Sequence, residues 1–135
     1  PRLAPFVQVI EEILGEEQYI RIREGQVRIV RPRMGDEVEP HQLPSGQQQI
    51  LTLFGELARR LRPGAVVLID EIELSFPALQ RAVLSHLRRL AREYDLQIIV
   101  TTHSMEIIAN VAEHEVVNLD DMVLEERARA REAEA

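Results

Sequence analysis

Two short apolar stretches, residues 65–69 and 96–100, constrain this chain more than any other feature. Each is too short for a typical helix, rich in valine or isoleucine, and ends abruptly in polar residues, the pattern of a buried parallel strand. The helical pattern between them starts at Pro77, a favourable first-turn residue, and continues through Leu79, Val83, Leu84, Leu87 and Leu90. Strand, helix, strand is the unit of a parallel sheet, and it points to an α/β architecture.

The neighbouring segments extend that frame. Upstream, Ile50, Leu51, Leu53, Phe54, Leu57 and Leu61 repeat at helical spacing and stop near Pro63-Gly64. Downstream, a short helix is expected over residues 105–111 and a last strand over 116–119. The N-terminal part has a different character. Phe6, Val9, Ile10, Ile13 and Leu14 mark a helix stopped by Gly15. Tyr19, Ile20 and Ile22, a Glu24-Gly25 turn, and Val27, Ile29 and Val30 then read as a hairpin. Residues 31–44, polar and broken by Pro32, Gly35 and Pro40, read as a loop. The Arg-, Glu- and Ala-rich tail from Glu125 is either a solvated helix or disordered. The expected organisation is therefore residues 1–42 as helix, hairpin and linker, 43–124 as the main lobe, and 125–135 as a charged tail.

Composition narrows the classes. The 135 residues suffice for one core and are too few to expect two. No apolar run reaches the length of a membrane span and no signal peptide is evident, so no membrane role is expected. The absence of cysteine excludes disulfides and thiolate metal sites and fits a cytoplasmic protein. A formal charge of -7 argues against a general nucleic-acid-binding surface. His41, His86, His103 and His114 show no metal-ligand spacing, and His86 is expected on a polar helix face. The clusters Arg59-Arg60-Arg62 and Arg88-Arg89-Arg92 read first as solvated helix faces, with phosphate contact as the alternative.

Function in parallel sheets collects beyond the C-terminal ends of the strands. Here one strand ends in Asp70-Glu71 and the other in Thr101-Thr102-His103-Ser104. If the strands are neighbours, Asp70, Glu71 and His103 meet at one edge. A third segment, Leu43-Pro44-Ser45-Gly46-Gln47-Gln48, opens the helix that follows it, where free backbone N–H groups and the positive dipole end favour an anion. Each has a plainer reading taken alone: a solvated or capping acidic pair, a hydrogen-bonded structural histidine, and an N-cap by Ser45.

Together and in this order, these segments resemble those of the ABC-type ATPases, and within them the RecF-like, SMC-like and OLD-like proteins that lack transporter partners. Residues 43–48 resemble the signature loop, written Leu-Ser-Gly-Gly-Gln in many members. Residues 66–71 resemble Walker B with its following catalytic glutamate. Residues 73–80 resemble the Glu-x-x-Leu-His-Pro-x-x-Gln segment of OLD-like ATPases, and residues 101–104 the switch-histidine loop. Pro44 departs from the pattern where many members have serine, and Ser75-Phe76 where OLD-like proteins show Leu-His. No Gly-x-x-x-x-Gly-Lys-Ser/Thr loop occurs.

The resemblance implies a partial P-loop NTPase fold of ABC type, a mostly parallel sheet flanked by helices with an N-terminal helix and hairpin. It implies ATP and Mg²⁺ as ligands, with Asp70 on the metal, Glu71 as general base, His103 on the γ-phosphate, and Ser45, Gly46 and Gln47 closing on a nucleotide held by another P-loop. That loop is expected on a separate lobe, of the same or another chain, in a head-to-tail homodimer that ATP closes and hydrolysis opens. Such a switch belongs to DNA processing or phage defence, with DNA or an attached nuclease as further partners. Residues 1–135 alone are expected to be inactive. The alternatives are a non-catalytic interaction module retaining the fold, and a transporter nucleotide-binding domain. Residues 73–80 disfavour the latter, because transporters usually follow Walker B with a Pro-Thr-Ser-Ala-Leu-Asp-like run.

Overall fold

A computed structural model describes residues 4–15, 17–71 and 77–135. The chain begins with α1 (Ala4–Leu14), whose Phe6, Val9, Ile10 and Leu14 form a buried stripe. Gly15 ends the helix with φ +103°, donating its N–H to Glu11 O at 3.0 Å. β1 (Tyr19–Arg23) and β2 (Gln26–Arg31) pair antiparallel. Both turn residues between them have positive φ, Glu24 at 51° and Gly25 at 76°, as a two-residue type I′ hairpin requires.

The expected loop over residues 31–44 instead contains a third strand and a 3-10 turn. β3 (Asp36–Val38) continues the antiparallel meander, with Ile29 opposite Val38 and Arg31 opposite Asp36. Arg31 Nε donates to Asp36 Oδ1 at 2.8 Å, and that contact holds the Asp36 carboxyl below the usual carboxylate range. Val38 joins Ile29 and Leu43 in a small separate core. Three residues with one apolar side chain leave no periodicity to detect, which is why the strand escaped the pattern. The turn Pro40–Gln42 then leads into α2 (Ser45–Arg60).

The main core lies among helices. Ile50, Phe54 and Leu57 of α2 meet Val83, Leu87 and Leu90 of α3 (Pro77–Tyr94), the buried stripe of α1, and Ile107 of α4 (Met105–Ala109). Phe6 stacks on Tyr94 with ring centroids 6.3 Å apart. Against this core rests a two-stranded parallel sheet, β4 (Val66–Ile69) and β5 (Gln97–Val100), in the register Val66↔Gln97 to Ile69↔Val100. Further bonds continue the ladder at both ends, from Gln97 N to Ala65 O at 3.1 Å and from Thr101 N to Ile69 O at 3.0 Å.

The parallel pair was expected to be buried, and only one of its faces is. Val67, Ile69, Ile98 and Val100 pack on the helical core, whereas Val66 and Leu68 are 60% and 74% exposed and Ile99 also faces out. Strands apolar on both faces belong to a sheet covered on two sides, and the described residues supply helices on one.

The strand expected over 116–119 is not formed. A 3-10 turn (Glu113–Glu115) precedes it, and Asn118 accepts a bond from Asp120 N at 3.0 Å to cap α5 (Leu119–Glu134). Val116 and Val117 are exposed, so β-branched residues alone did not make a strand where a helix cap followed at once. The charged tail is part of the exposed α5. No helix among the described residues is long and apolar enough to cross a membrane.

Both arginine clusters lie on ion-paired, solvated surface. Arg59 and Arg60 each approach Glu56 at 3.0 Å, and Arg88 grips Glu115 with bonds of 3.0 and 2.7 Å. That grip, with the Ala112 N–H, pulls the Glu115 carboxyl down to about 2. His86, by contrast, does not sit on an open polar face. Its side chain is 15% exposed, edge-on to Phe54 at 6.4 Å, with Nε2 3.5 Å from Glu12 Oε2. Burial, aided by the nearby Arg89 charge, lowers its pKa against the opposing pull of Glu12.

A histidine held neutral in the folded state binds fewer protons there than when unfolded. Its contribution is therefore fully present above the unfolded value near 6.5 and is lost as pH falls through that value toward the lower folded one. Urea midpoints measured from pH 7.5 to 5.5 should decline for the wild type and decline less for His86→Phe, which keeps the ring contact with Phe54. Parallel profiles would contradict the assignment.

Candidate functional site

The site begins where the sequence placed a phosphate-facing loop. Leu43 is buried, Pro44 takes the N-cap position without any side-chain bond, and Ser45 is the first helical residue. The N-cap reading of Ser45 is thereby replaced. Its exposed hydroxyl makes no hydrogen bond among the described residues. Ser45, Gly46 and Gln47 occupy the first turn of α2, where backbone N–H groups lack a carbonyl within the helix. Gln48, the last residue of the signature-like segment, sets this turn: its Nε2 donates to Leu43 O at 2.6 Å and to His41 O at 3.0 Å. The amide thus ties the helix start to the chain before it. Gly46 lies against α3, since a Cβ there would come 3.6 Å from Leu79 Cδ2, an ordinary contact.

The second part sits at the C-terminal ends of β4 and β5. The register ends with Ile69 opposite Val100, so the next residues, Asp70 and Thr101, leave the sheet together. The Thr101 hydroxyl donates to Asp70 Oδ1 and accepts the Glu71 N–H at 3.0 Å. Glu71 has φ +54°, a left-handed conformation that costs a non-glycine residue of order 1–3 kcal/mol. The chain therefore turns sharply at the second carboxylate, and the bond to Thr101 holds the turn. Asp70, Glu71 and Thr101 are all exposed. Thr101 was expected only as part of the histidine-bearing strand end, although its place in register with Asp70 was a usable signal for this contact.

His103 follows two residues later on the same loop and is exposed. The loop around it is closely tied. Ser104 N donates to Thr102 Oγ1 at 2.9 Å, Ser104 caps α4 by accepting from Ile107 N at 3.4 Å, and its hydroxyl bonds Gln80 Oε1 on α3. Gln80 is the last residue of the segment singled out after the carboxylates, so that segment and the histidine loop are joined directly. Residues 73–76 of the same segment lie outside the described residues, and Pro77 opens α3 as expected.

The structure thus brings Asp70 and Glu71 together at one sheet edge, with His103 on the adjoining loop. No hydrogen bond or ion pair among the described residues joins Ser45, Gly46 or Gln47 to that edge. Among the described residues no three His, Asp or Glu side chains form a metal-binding group. A single exposed carboxylate nonetheless fits Mg²⁺, which keeps several waters and takes one or two protein carboxylates beside phosphate oxygens. The chain contains no lysine, and its 16 permanently cationic side chains are all arginine.

The described residues form part of a P-loop NTPase fold, with a parallel strand pair ending in paired carboxylates and a histidine loop. The chain belongs to the family described as "AAA domain, putative AbiEii toxin, Type IV TA system", which matches residues 5–109. It is 32% identical over 109 residues to the energy-coupling factor transporter ATP-binding protein EcfA1 of Geobacillus kaustophilus, covering 81% of this chain and 38% of that one. It is 36% identical over 88 residues to the methionine import ATP-binding protein MetN of Burkholderia thailandensis, covering 64% of this chain and 25% of that one. The chain therefore spans well under half the length of these relatives. A chain solved in work on ATP-driven dimerization and DNA-stimulated activation of SMC ATPases superposes with a TM-score of 0.57 over 94% of both chains at 20% identity, a likeness of fold.

Removing the Gln48 tie tests the loop. Gln48→Ala should lower stability by about 1–2 kcal/mol, the net worth of one or two partly buried hydrogen bonds. Gln48→Glu should do the same, because a carboxylate cannot donate to the two carbonyls. A urea midpoint unchanged in both variants would show that the tie contributes nothing.

Proposed function

We propose that this chain is the catalytic-carboxylate lobe of an ATPase head that binds and hydrolyses ATP between two lobes. The observation that carries the reading is the meeting of Asp70 and Glu71 at the end of a parallel strand whose neighbour runs into His103. Phosphoryl transfer to water asks mainly for positioning and charge stabilisation. Asp70 would hold Mg²⁺, which would supply charge compensation for the phosphate oxygens. Glu71 takes the proton of the attacking water as general base. His103 hydrogen-bonds the γ-phosphate. Ser45, Gly46 and Gln47 offer a hydroxyl and free backbone N–H groups to the γ-phosphate of a nucleotide seated on another lobe's P-loop.

Because these groups lie at separate places on the chain, closing a head-to-tail pair over two nucleotides accounts for both. ATP then favours the closed pair and hydrolysis releases it, a nucleotide-driven switch. Use in DNA processing or phage defence is supported by the resemblance of residues 73–80 to OLD-like ATPases, and is an argument by analogy. A transporter nucleotide-binding domain is the second reading, favoured by the 32% identity to EcfA1. Co-purification of the full-length protein with an integral membrane partner would decide for it. A non-catalytic module is disfavoured by the retention of Glu71 and His103, for which a degenerate ATPase has no chemical need.

Two outcomes follow from these roles. In the full-length protein Glu71→Gln should reduce ATP turnover by about 100-fold or more, the usual worth of a general base, with ATP-bound dimers accumulating in light scattering. Equal turnover in both proteins would remove Glu71 from the mechanism. Residues 1–135 by themselves should show no ATP-Mg²⁺ binding by calorimetry, since the β- and γ-phosphates lack most of their ligands. A micromolar Kd would refute that.

A further inference from the structure

We propose that Thr101 is a positioning residue of this site, its one hydroxyl holding the Asp70 carboxylate and the Glu71 backbone in a common frame. The inference rests on the assignment of Asp70 and Glu71 made above. A hydroxyl has a single hydrogen, and here it goes to Asp70 Oδ1, while the oxygen accepts the Glu71 N–H at 3.0 Å. The single hydrogen and one lone pair of one oxygen thus serve two consecutive residues. The O–H cannot rotate away without releasing Asp70, and Glu71 N–H cannot leave without freeing the turn. Thr101 is itself anchored, its backbone N–H bonding Ile69 O at 3.0 Å across the ladder, and its β-branched side chain has few rotamers.

The arrangement matters because Glu71 stands in the left-handed region, with φ +54°, where a residue with a side chain stays only if something holds it. The hydrogen bond to Thr101 is such a hold, and it comes from the strand that leads into the His103 loop. Position of the base is therefore set from the second strand as well as from its own. The next hydroxyl, Thr102, is engaged elsewhere, accepting the Ser104 N–H at 2.9 Å. Thr101 and Thr102, adjacent and alike in sequence, divide between the carboxylate edge and the histidine loop.

The test compares Thr101→Val, which keeps the shape and removes the hydroxyl, with Thr101→Ser, which keeps the hydroxyl, in the full-length protein. Hydrogen exchange followed by mass spectrometry should find the peptide carrying Glu71 exchanging about tenfold faster in Thr101→Val and near the wild-type rate in Thr101→Ser. ATP turnover should fall about tenfold or more in Thr101→Val, with KM for ATP within about twofold, and recover in Thr101→Ser. Movement of only one of the two readouts overturns the proposal, as does a serine variant as impaired as the valine one. If the wild type shows no turnover, the assignment of Glu71 as base fails, and the exchange comparison alone decides whether Thr101 holds the strand end.

Discussion

Four residue pairs of parallel ladder, Val66↔Gln97 to Ile69↔Val100, carry the geometry on which everything else in this chain depends. The ladder fixes which polar residue of one strand leaves the sheet beside which residue of the other. A slip by one residue would turn Val67 and Ile69 away from the helical core and set Asp70 opposite Thr102 or Val100. The helices penalise such a slip. Val67, Ile69, Ile98 and Val100 pack against the helical core that includes Phe54, Val83, Leu87 and Leu90, and a one-residue slip would take a strand's pair of side chains off it. Full burial of one such side chain is worth about 1.5–3 kcal/mol, and four partly buried ones together outweigh the net ~1 kcal/mol of each hydrogen bond at the sheet edge. Packing in the core thus decides where the carboxylates stand.

Much of this was legible before any coordinates. The three long helices of the core and the two parallel strands show their periods plainly, because each presents a continuous apolar stripe or run to a single core. The acidic and histidine-bearing ends of the strands could be placed at one edge by topology alone. What escaped has a physical reason in each case. β3 is three residues held by an Arg31–Asp36 pairing and one buried valine, so nothing periodic marks it. Val116 and Val117 look like strand residues, yet Asn118 caps a helix at once and no strand among the described residues pairs with them. His86 is polar by composition and sits edge-on to Phe54 because α1 closes over it, a tertiary fact. Gln48 and Thr101 stand within segments the sequence marks, but their bonds, to the Leu43 carbonyl and to Glu71 thirty positions away, follow from the course of the chain and the strand register and not from residue type.

The one-sided burial of the sheet bears on how much of a head this chain represents. Val66, Leu68 and Ile99 give the strands an apolar second face, and that composition is selected in sheets covered on both sides. The relatives EcfA1 and MetN are matched over 38% and 25% of their lengths, so each has chain to spare beyond the matched part. The absence of lysine makes the same point from the chemical side, since the phosphate-cradling loop of this fold class carries one. Apolar face and missing lysine both accord with the proposal that this lobe works against another.

Exposure of the edge strengthens that argument. Asp70, Glu71, Thr101 and His103 all stand in solvent in the described structure. Two unit charges 4 Å apart interact by about 1 kcal/mol in bulk water and by about 4 kcal/mol near a protein surface of lower effective dielectric. Open to water, the carboxylate edge is a weak electrostatic device. Covered by a second lobe, the same groups act on metal and phosphate several times more strongly, with water excluded except where Glu71 can engage it. On the reading proposed here, closure supplies the phosphate ligands and the dielectric in one step, and hydrolysis is confined to the closed state. The weak field of the open edge is then a property the switch requires, because a lobe that engaged nucleotide fully by itself would have no reason to wait for its partner.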